Sequence, residues 1–380
     1  MNKAEVSESQ AKEEVPSLTV LHAIGAHLQR KKVGKESFFE KDVGTQWDTG
    51  DKVALSFVQQ IEAKFAKKNK LYNFFREDPS GNDLPLASHL KNLNETHDGF
   101  GRLSSFVLDS MVSSATRKAG TSLSDAYVVI IHYMTRADEG DEGRLLVVLL
   151  DKKGVFNFNR NYEPTNRDSI DIDALKQAAM IDVTLFKGLY PSRDGDAYLQ
   201  FIKGNQSSDF FKESLECGDA IENAASVDAI FEALDEFSDE HGLGISVHNK
   251  IQKSIESKLS EYAKRKAPVS IDYIQGWVDE CLDDGHAAKG KFAEHVNVKG
   301  HQVNEWTAPT TNSIIKAGSF VIEDDKKSYS CKVNKGTVGT YDSDKKVKLT
   351  KDTRYLMIPL SEVEREEIIK RVTEHDNDQG

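Results

Sequence analysis

The sequence has few cysteines and no long apolar run, and each shortage excludes a class of protein. Cys217, Cys281 and Cys331 are widely spaced and form no C-x-x-C pair, so neither a redox motif nor a zinc ribbon is indicated. The longest apolar runs, residues 127–133 and 145–150, are far shorter than the roughly 18 residues of a membrane-spanning helix. We therefore expect a protein of the reducing cytoplasm that has no membrane partner.

Basic residues are also fewer than acidic residues. The chain carries 50 lysines and arginines against 62 aspartates and glutamates, which gives a formal net charge of -12. Nonspecific affinity for DNA comes mainly from Lys and Arg side chains that neutralise phosphates. Any contact with nucleic acid must therefore use local basic surfaces, and the distribution of charge matters more than its sum.

The N-terminal half predicts an α+β domain. Residues 1–16 alternate acids, lysines and polar residues without an apolar core, which indicates a disordered tail and no secretory signal. In residues 17–204, apolar spacing predicts two helices, and β-rich runs predict an antiparallel sheet with both helices on one of its faces. The predicted helices lie at 52–75 and around 103–112, and the main predicted strands at 18–28, 126–133, 144–150, 181–186 and 198–202.

The C-terminal half differs from the N-terminal half in its predicted secondary structure and in its charge pattern. Residues 205–291 predict a helical segment, residues 292–360 a small β-rich region, and residues 361–380 a charged tail that begins as a helix. Charge alternates along these segments: residues 209–240 hold eleven acids against one lysine, whereas residues 326–354 hold nine bases against three acids. The predicted helix between these two segments, which carries the bases from Lys250 to Lys266, is basic as well.

Three short motifs suggest catalysis or nucleotide binding, and each has a simpler interpretation. Residues 285–291 have P-loop spacing, but Phe292 replaces the Ser or Thr that binds magnesium and a predicted helix precedes the loop. Residues 151–153 and 324–326 resemble the acid and lysine elements of metal-dependent nucleases, but they are also typical hairpin turns. The histidine spacings indicate no metal site. We therefore expect no enzyme activity, no cofactor and no bound metal.

Two basic segments are the candidate DNA-binding surfaces. Their lysines and arginines could contact phosphates without reading sequence, or could simply form a solvated face or pair with the acidic helices. If the acidic and basic helices pair across a two-fold axis, the protein would be a homodimer. The candidate residues are Lys250, Lys253, Lys258, Lys264, Arg265 and Lys266 of the basic helix, and Lys345, Lys346 and Lys348 of the C-terminal region.

Several segments between about residues 18 and 360 together resemble the bacterial nucleoid-associated family typified by YejK and NdpA. The densest match is the run Asp-Ala-Tyr-Leu-Gln-Phe-Ile-Lys-Gly at residues 196–204, followed by the aromatic pair at 210–211 and Leu-Glu-Cys at 215–217. Asn73 and Glu216 depart from the pattern, because the family usually has glycine there. Weaker matches lie at residues 21–24, 69–75, 131–133, 319–322 and 346–357.

This resemblance implies a DNA-binding protein of the bacterial nucleoid, with double-stranded DNA as its partner and no catalytic residues to carry over. Two other functions stay open at this point. The chain could be a DNA-sensing or accessory subunit of a bacterial anti-phage defence system. It could also be a divergent Mg-dependent nuclease. A protein partner in a defence or chromosome-organising complex is possible as well.

Overall fold

A computed structural model describes residues 18–94, 98–117, 124–135, 140–151, 158–165, 175–202, 209–323 and 329–377. The strands are β1 (Leu18–Val33), β2 (Glu36–Gln46), β3 (Leu71–Phe75), β4 (Ala126–Thr135), β5 (Arg144–Asp151), β6 (Leu175–Asp182), β7 (Leu199–Ile202), β8 (Cys217–Ala220), β9 (Val269–Ser270), β10 (Trp306–Thr307), β11 (Ser319–Glu323), β12 (Ser330–Asn334), β13 (Val338–Gly339), β14 (Val347–Leu349) and β15 (Leu356–Met357). The helices are α1 (Lys52–Lys67), α2 (Pro85–Lys91), α3 (Gly99–Arg117), α4 (Val183–Leu189), α5 (Asp209–Ser214), α6 (Asn223–Glu240), α7 (Ile245–Arg265), α8 (Ile271–Asp279), α9 (Phe292–Lys299), α10 (Thr311–Gly318) and α11 (Glu362–Asn377).

The predicted antiparallel sheet is confirmed, and eight of these strands form it. Its strand order is β2-β1-β4-β5-β6-β7-β3-β8, and every neighbouring pair is antiparallel. The predicted hairpin is β4 with β5, paired in an unbroken register from Ala126 opposite Asp151 to Tyr133 opposite Arg144. Aliphatic and β-branched residues fill both strands, which suits the pleated interior of a sheet.

The covering helices were expected on one face of the sheet, and this was wrong. Leu103 and Val107 of α3 are buried in one apolar cluster with Val147 of β5, whereas Phe57 and Ile61 of α1 belong to a second cluster. That second cluster contains the alternate residues of the same strands. Since successive side chains of a strand point to opposite faces, an uninterrupted apolar strand needs cover on both faces.

Two predicted elements end earlier than expected. The helix predicted over residues 52–75 stops at Lys67, and residues 71–75 instead form β3, which lies between β7 and β8 in the sheet. The strand predicted over residues 181–186 stops at Asp182, whose side chain accepts a hydrogen bond from the backbone N–H of Leu185, 2.9 Å away, and begins α4. An aspartate in this N-cap position stabilises the first turn of a helix.

The two departures from the family's glycines have structural explanations. Glu216 has a left-handed backbone with φ of +51°, the conformation that glycine adopts most easily. Its carboxylate accepts a hydrogen bond of 2.8 Å from the backbone N–H of Leu86 in the first turn of α2. Asn73 is buried and donates from its amide to the carbonyl of Gly218. Both side chains therefore satisfy backbone groups that a glycine would leave to other partners.

The chain folds into two compact units. Unit 1 comprises residues 1–226, 270–273 and 291–307, and includes the eight-stranded sheet. Unit 2 comprises residues 227–269, 274–290 and 308–380, and includes α6, α7, α10 and the small C-terminal β elements. Such units are not the same as domains, so the domain limits given above stay predictions. Among the described residues, no helix is long and apolar enough to cross a bilayer.

We expect the packing of α3 on the sheet to contribute strongly to stability. Leu103 is fully buried at 0% exposure, so Leu103→Ala would leave a cavity and lower the free energy of unfolding by about 3 kcal/mol. Urea denaturation followed by circular dichroism would measure the loss. Val298, which is 52% exposed on α9, provides the control, because Val298→Ala should change stability by less than about 0.5 kcal/mol.

Lys70 gives unit 1 a pH-dependent stability. Only 2% of this residue is exposed, its Nζ donates to the carbonyl of Ala66 at 2.8 Å, and burial lowers its pKa from 10.5 to about 7, a shift that the nearby Glu62 opposes. The unfolded chain therefore holds a proton that the folded chain has lost, and stability rises as the pH increases from about 7 to 10. Lys70→Met should remove this rise, whereas Lys52→Met at an exposed position should keep it, in urea titrations at several pH values.

Candidate nucleic-acid interface

The basic helix predicted from the sequence is α7, and its charged residues lie on the face opposite its core. Ile251, Ile255 and Leu259 repeat at helical spacing and are buried. The helix ends at Lys266, whose backbone is left-handed with φ of +51° and whose N–H bonds back to the carbonyls of Tyr262 and Ala263. Five of the six basic candidates of the helix are exposed, and Lys258 is half-buried.

Two of those six basic residues, both lysines, make contacts within unit 2. Lys250 donates from Nζ to the carbonyl oxygen of Cys281 at 3.0 Å. Lys258 forms an ion pair with Glu280, and its Nζ lies 5.6 Å from the centre of the Trp277 ring. Such contacts tie α7 to the chain at the end of α8. Lys250 and Lys258 therefore have a structural role whatever else they bind.

The other candidates of the helix differ in how far they are neutralised. Arg265 pairs with Glu261 one turn earlier, at 3.6 Å. Lys253, Lys264 and Lys266 are exposed and form no ion pair with any residue that the structure describes. Lys253 and Lys264 are eleven positions apart, which is about three turns or roughly 16 Å along the same side of a helix. Lys253, Lys264 and Lys266 together form a basic surface that has no ion pair among the described residues. We call this surface the α7 lysine face.

The C-terminal candidates divide in the same way. Lys345 lines a small cavity together with Asp235, Asp239 and His248, and its charge opposes the rise that burial causes in the pKa of Asp235. Lys346 is exposed and Lys348 is half-buried on β14, and neither forms an ion pair within the described ranges. Of these three candidates, only Lys346 and Lys348 therefore carry a positive charge that no described acid neutralises.

The acidic helix α6 has partners within its own unit. Asp235 lies 3.4 Å from Nε2 of His248, and Lys335 lies 3.7 Å from Asp228. His248 is also 2.9 Å from the hydroxyl of Ser238 through Nδ1. Lys335 follows β12, and Lys345 lies in the loop before β14. Asp228 and Asp235 therefore have partners within unit 2 other than Lys253, Lys264 and Lys266.

Two kinds of short motif suggested other chemistry. The P-loop-like residues before Lys291 follow helix α8, and Lys289 pairs with Asp284 at 2.9 Å instead of facing an open loop. The nuclease-like tripeptides at 151–153 and 324–326 fall largely outside the described residues, since the description stops at 151 and at 323.

A second basic element comes from tertiary structure and was missed in the sequence. β1 pairs with β4 only as far as Leu28, whereas its pairing with β2 continues to Val33 opposite Glu36. The last part of this hairpin is therefore a two-stranded ribbon, closed by Gly34 with φ of +62°. Lys31, Lys32 and Lys35 are exposed there. We call this element the β1–β2 ribbon; its signal in the sequence is the basic run at residues 30–35.

The chain matches a protein-family model described as nucleoid-associated protein YejK over residues 26–353. It belongs to this family. The match covers most of the chain, from within β1 to the loop before β15, and includes α7.

Individual relatives are distant. A nucleoid-associated protein of Pseudomonas putida strain KT2440 is 24% identical over 222 residues, which cover 57% of this chain and 62% of the relative. One of Pseudomonas aeruginosa strain UCBPP-PA14 is 20% identical over 274 residues, 70% of this chain and 75% of that protein. Nucleoid-associated protein YejK of Salmonella arizonae is 21% identical over 255 residues, 66% of this chain and 70% of that protein. The chain thus spans less than two thirds of the length of the first of these relatives.

Proposed function

We propose that this protein binds duplex DNA in the nucleoid of the bacterial cytoplasm, without catalysing a reaction, and that the α7 lysine face supplies the principal contacts. One observation carries the proposal: Lys253, Lys264 and Lys266 are exposed without an ion pair in the described chain, although acids outnumber bases overall. The family name supports association with the nucleoid.

The physical basis is the release of counterions from DNA. Each lysine that neutralises a phosphate releases condensed cations, so affinity falls steeply as salt rises. Phosphate contacts position a protein without selecting a sequence, which suits a basic face that presents only ammonium groups. The net charge of -12 should repel DNA from the rest of the surface and limit binding to the local basic faces.

The double substitution Lys253→Glu with Lys264→Glu should weaken DNA binding by at least about tenfold and reduce the slope of log affinity against log salt by about 2. Fluorescence anisotropy with a labelled duplex over a salt series measures both quantities. The charge-matched control is Lys52→Glu with Lys291→Glu, since both residues are exposed at the starts of helices, where acids are tolerated. An equal loss in the control would contradict a role specific to α7.

The β1–β2 ribbon should make a second, weaker contact. A two-stranded ribbon fits the major groove, and Lys31 and Lys32 lie on opposite faces of it, so one of them would face a phosphate strand in most orientations. Lys31→Glu with Lys32→Glu should lower affinity about threefold and reduce the salt slope by about 1. If the salt slope is unchanged in the ribbon variant but reduced in the α7 variant, the DNA contacts lie in unit 2 alone.

The same assays separate the two other functions. A Mg-dependent nuclease would cut the duplex when Mg²⁺ is present and lose that activity on substitution of Asp151 or Asp324, so an intact duplex after incubation supports a binding protein. An accessory subunit would show no affinity for DNA until a protein partner is added. Salt-sensitive binding by the purified chain alone supports the nucleoid-associated function.

A further inference from the structure

The segment at residues 158–165 lies between β5 and β6 in the chain and folds into a compact turn. Its shape comes from Asn159, whose side-chain oxygen accepts the backbone N–H of Asn161 at 2.7 Å and that of Glu163 at 3.1 Å. The backbone N–H of Asn159 in turn donates to the carbonyl of Glu163 at 2.9 Å. Such local bonds give a segment a defined shape without a neighbouring strand. We call this segment the strap.

The strap lies directly on the backbone of β1 and β2, at two glycines. A methyl group at Gly25 of β1 would lie 2.7 Å from Cβ of Tyr162, and one at Gly44 of β2 would lie 2.7 Å from the carbonyl carbon of Asn161. Carbon atoms in contact are about 3.5 to 4 Å apart, so a residue with a Cβ would push the strap away. Neither glycine has a positive φ, so close approach and not turn geometry explains both of them.

Tyr162 fastens the strap to the first three strands of the sheet. Its hydroxyl donates to the carboxylate of Asp42 on β2, and its ring centre lies 6.1 Å from that of His27 on β1 and 6.0 Å from that of Tyr127 on β4. His27 is paired with Asp42 on one side and with Tyr127 on the other, so the three side chains form one row across a face of the sheet. Tyr162 has a left-handed backbone with φ of +58°. Bulky residues keep this conformation only where the surrounding structure determines it.

This row of side chains is the base of the β1–β2 ribbon. The pairing of β1 with β4 ends at Leu28, one residue after His27, and the exposed Lys31 and Lys32 follow. At roughly 3.3 Å per residue, Lys32 lies roughly 16 Å beyond His27, so a tilt of about 10° at the base would move it by about 3 Å. A shift of that size is enough to break a hydrogen bond to a phosphate. The position of the lysines therefore depends on what holds the base.

Helix α3 contacts the other face of β2. Lys41 forms an ion pair of 2.7 Å with Asp109, and the backbone N–H of Phe39 donates to the hydroxyl of Thr116 at 3.0 Å. Since successive side chains of a strand point to opposite faces, these contacts do not reach the face that carries Asp42. The strap holds that second face, so the base of the ribbon is held from both sides.

We propose that the strap fixes the direction in which the β1–β2 ribbon projects, and that Tyr162 is thereby a positioning residue for Lys31 and Lys32. The hydroxyl of Tyr162 is bound to Asp42, so Tyr162 acts through the ribbon and not as a DNA contact of its own. The part of the proposal that concerns DNA rests on the proposed function, whereas the hold of the strap on the ribbon does not.

Hydrogen exchange of the full-length chain, followed by mass spectrometry without DNA, tests the hold of the strap. Tyr162→Asn removes the ring and the hydroxyl but keeps a residue that tolerates a left-handed backbone, and Gly44→Ala adds a methyl group beneath Asn161. Both variants should raise the exchange rates of amides in residues 29–41 at least about tenfold and leave those of β4 and β5 unchanged. Tyr273→Asn, which changes a tyrosine of 51% exposure on α8, should exchange like the wild-type chain. If either strap variant exchanges like the wild-type chain in residues 29–41, or accelerates exchange equally throughout the sheet, the proposal fails.

A double-mutant cycle with duplex DNA tests the positioning role, because a general structural defect would lower affinity in every background. Tyr162→Asn should lower the affinity of the wild-type chain about twofold and should have no further effect when Lys31→Glu and Lys32→Glu are already present. A further loss in that background would overturn the action of Tyr162 through the ribbon lysines. If the two lysine reversals by themselves leave affinity unchanged, the ribbon contact of the proposed function is wrong, and hydrogen exchange still decides whether the strap holds the ribbon.

Discussion

The apolar character of both faces of β4 and β5 is the constraint on which unit 1 depends. Val129, Ile131 and Tyr133 point to one side of the sheet and Val128 and Ile130 to the other, and all are buried. Burial of apolar surface is the main favourable term in folding, so neither face can stay in water. α1 and α3 therefore cover opposite faces, and the sheet between them carries the β1–β2 ribbon beyond its edge.

Intramolecular pairing sorts the basic residues of unit 2 into two groups. Lys250, Lys258 and Lys345 contact a carbonyl, an acid or an acidic cavity, whereas Lys253 and Lys264 do not pair in the part of the chain that is described. A charge already paired gains little from a phosphate, because the first partner must be given up. The difference between these groups matters more for DNA binding than the number of lysines on the helix.

The sequence predicts much of the secondary structure because its periodicities are strong. The β4–β5 hairpin and α3 lie where spacing placed them, α6 and α7 lie in the segment predicted to be helical, and the region predicted to be β-rich holds the short C-terminal strands together with α9 and α10. Errors arose where local patterns conflict with tertiary pairing: residues 71–75 continue a helical spacing, yet their apolar side chains suit both faces of a strand between β7 and β8. The candidate lysines were correctly placed on an amphipathic helix, but which of them are neutralised depends on Cys281, Glu280 and Trp277, residues that the helix pattern does not contain.

The sequence by itself determined the α+β class, the family resemblance, the basic and acidic segments and the absence of a long apolar run, because composition and periodicity are local properties. Tertiary structure decided which face each helix covers, which lysines are paired, that the basic run at residues 30–35 lies at the end of a two-stranded ribbon, and that α11 is exposed as far as Arg371. These are relations between residues far apart in the chain. They follow from burial and from charge pairing in three dimensions, and no spacing along the sequence encodes them.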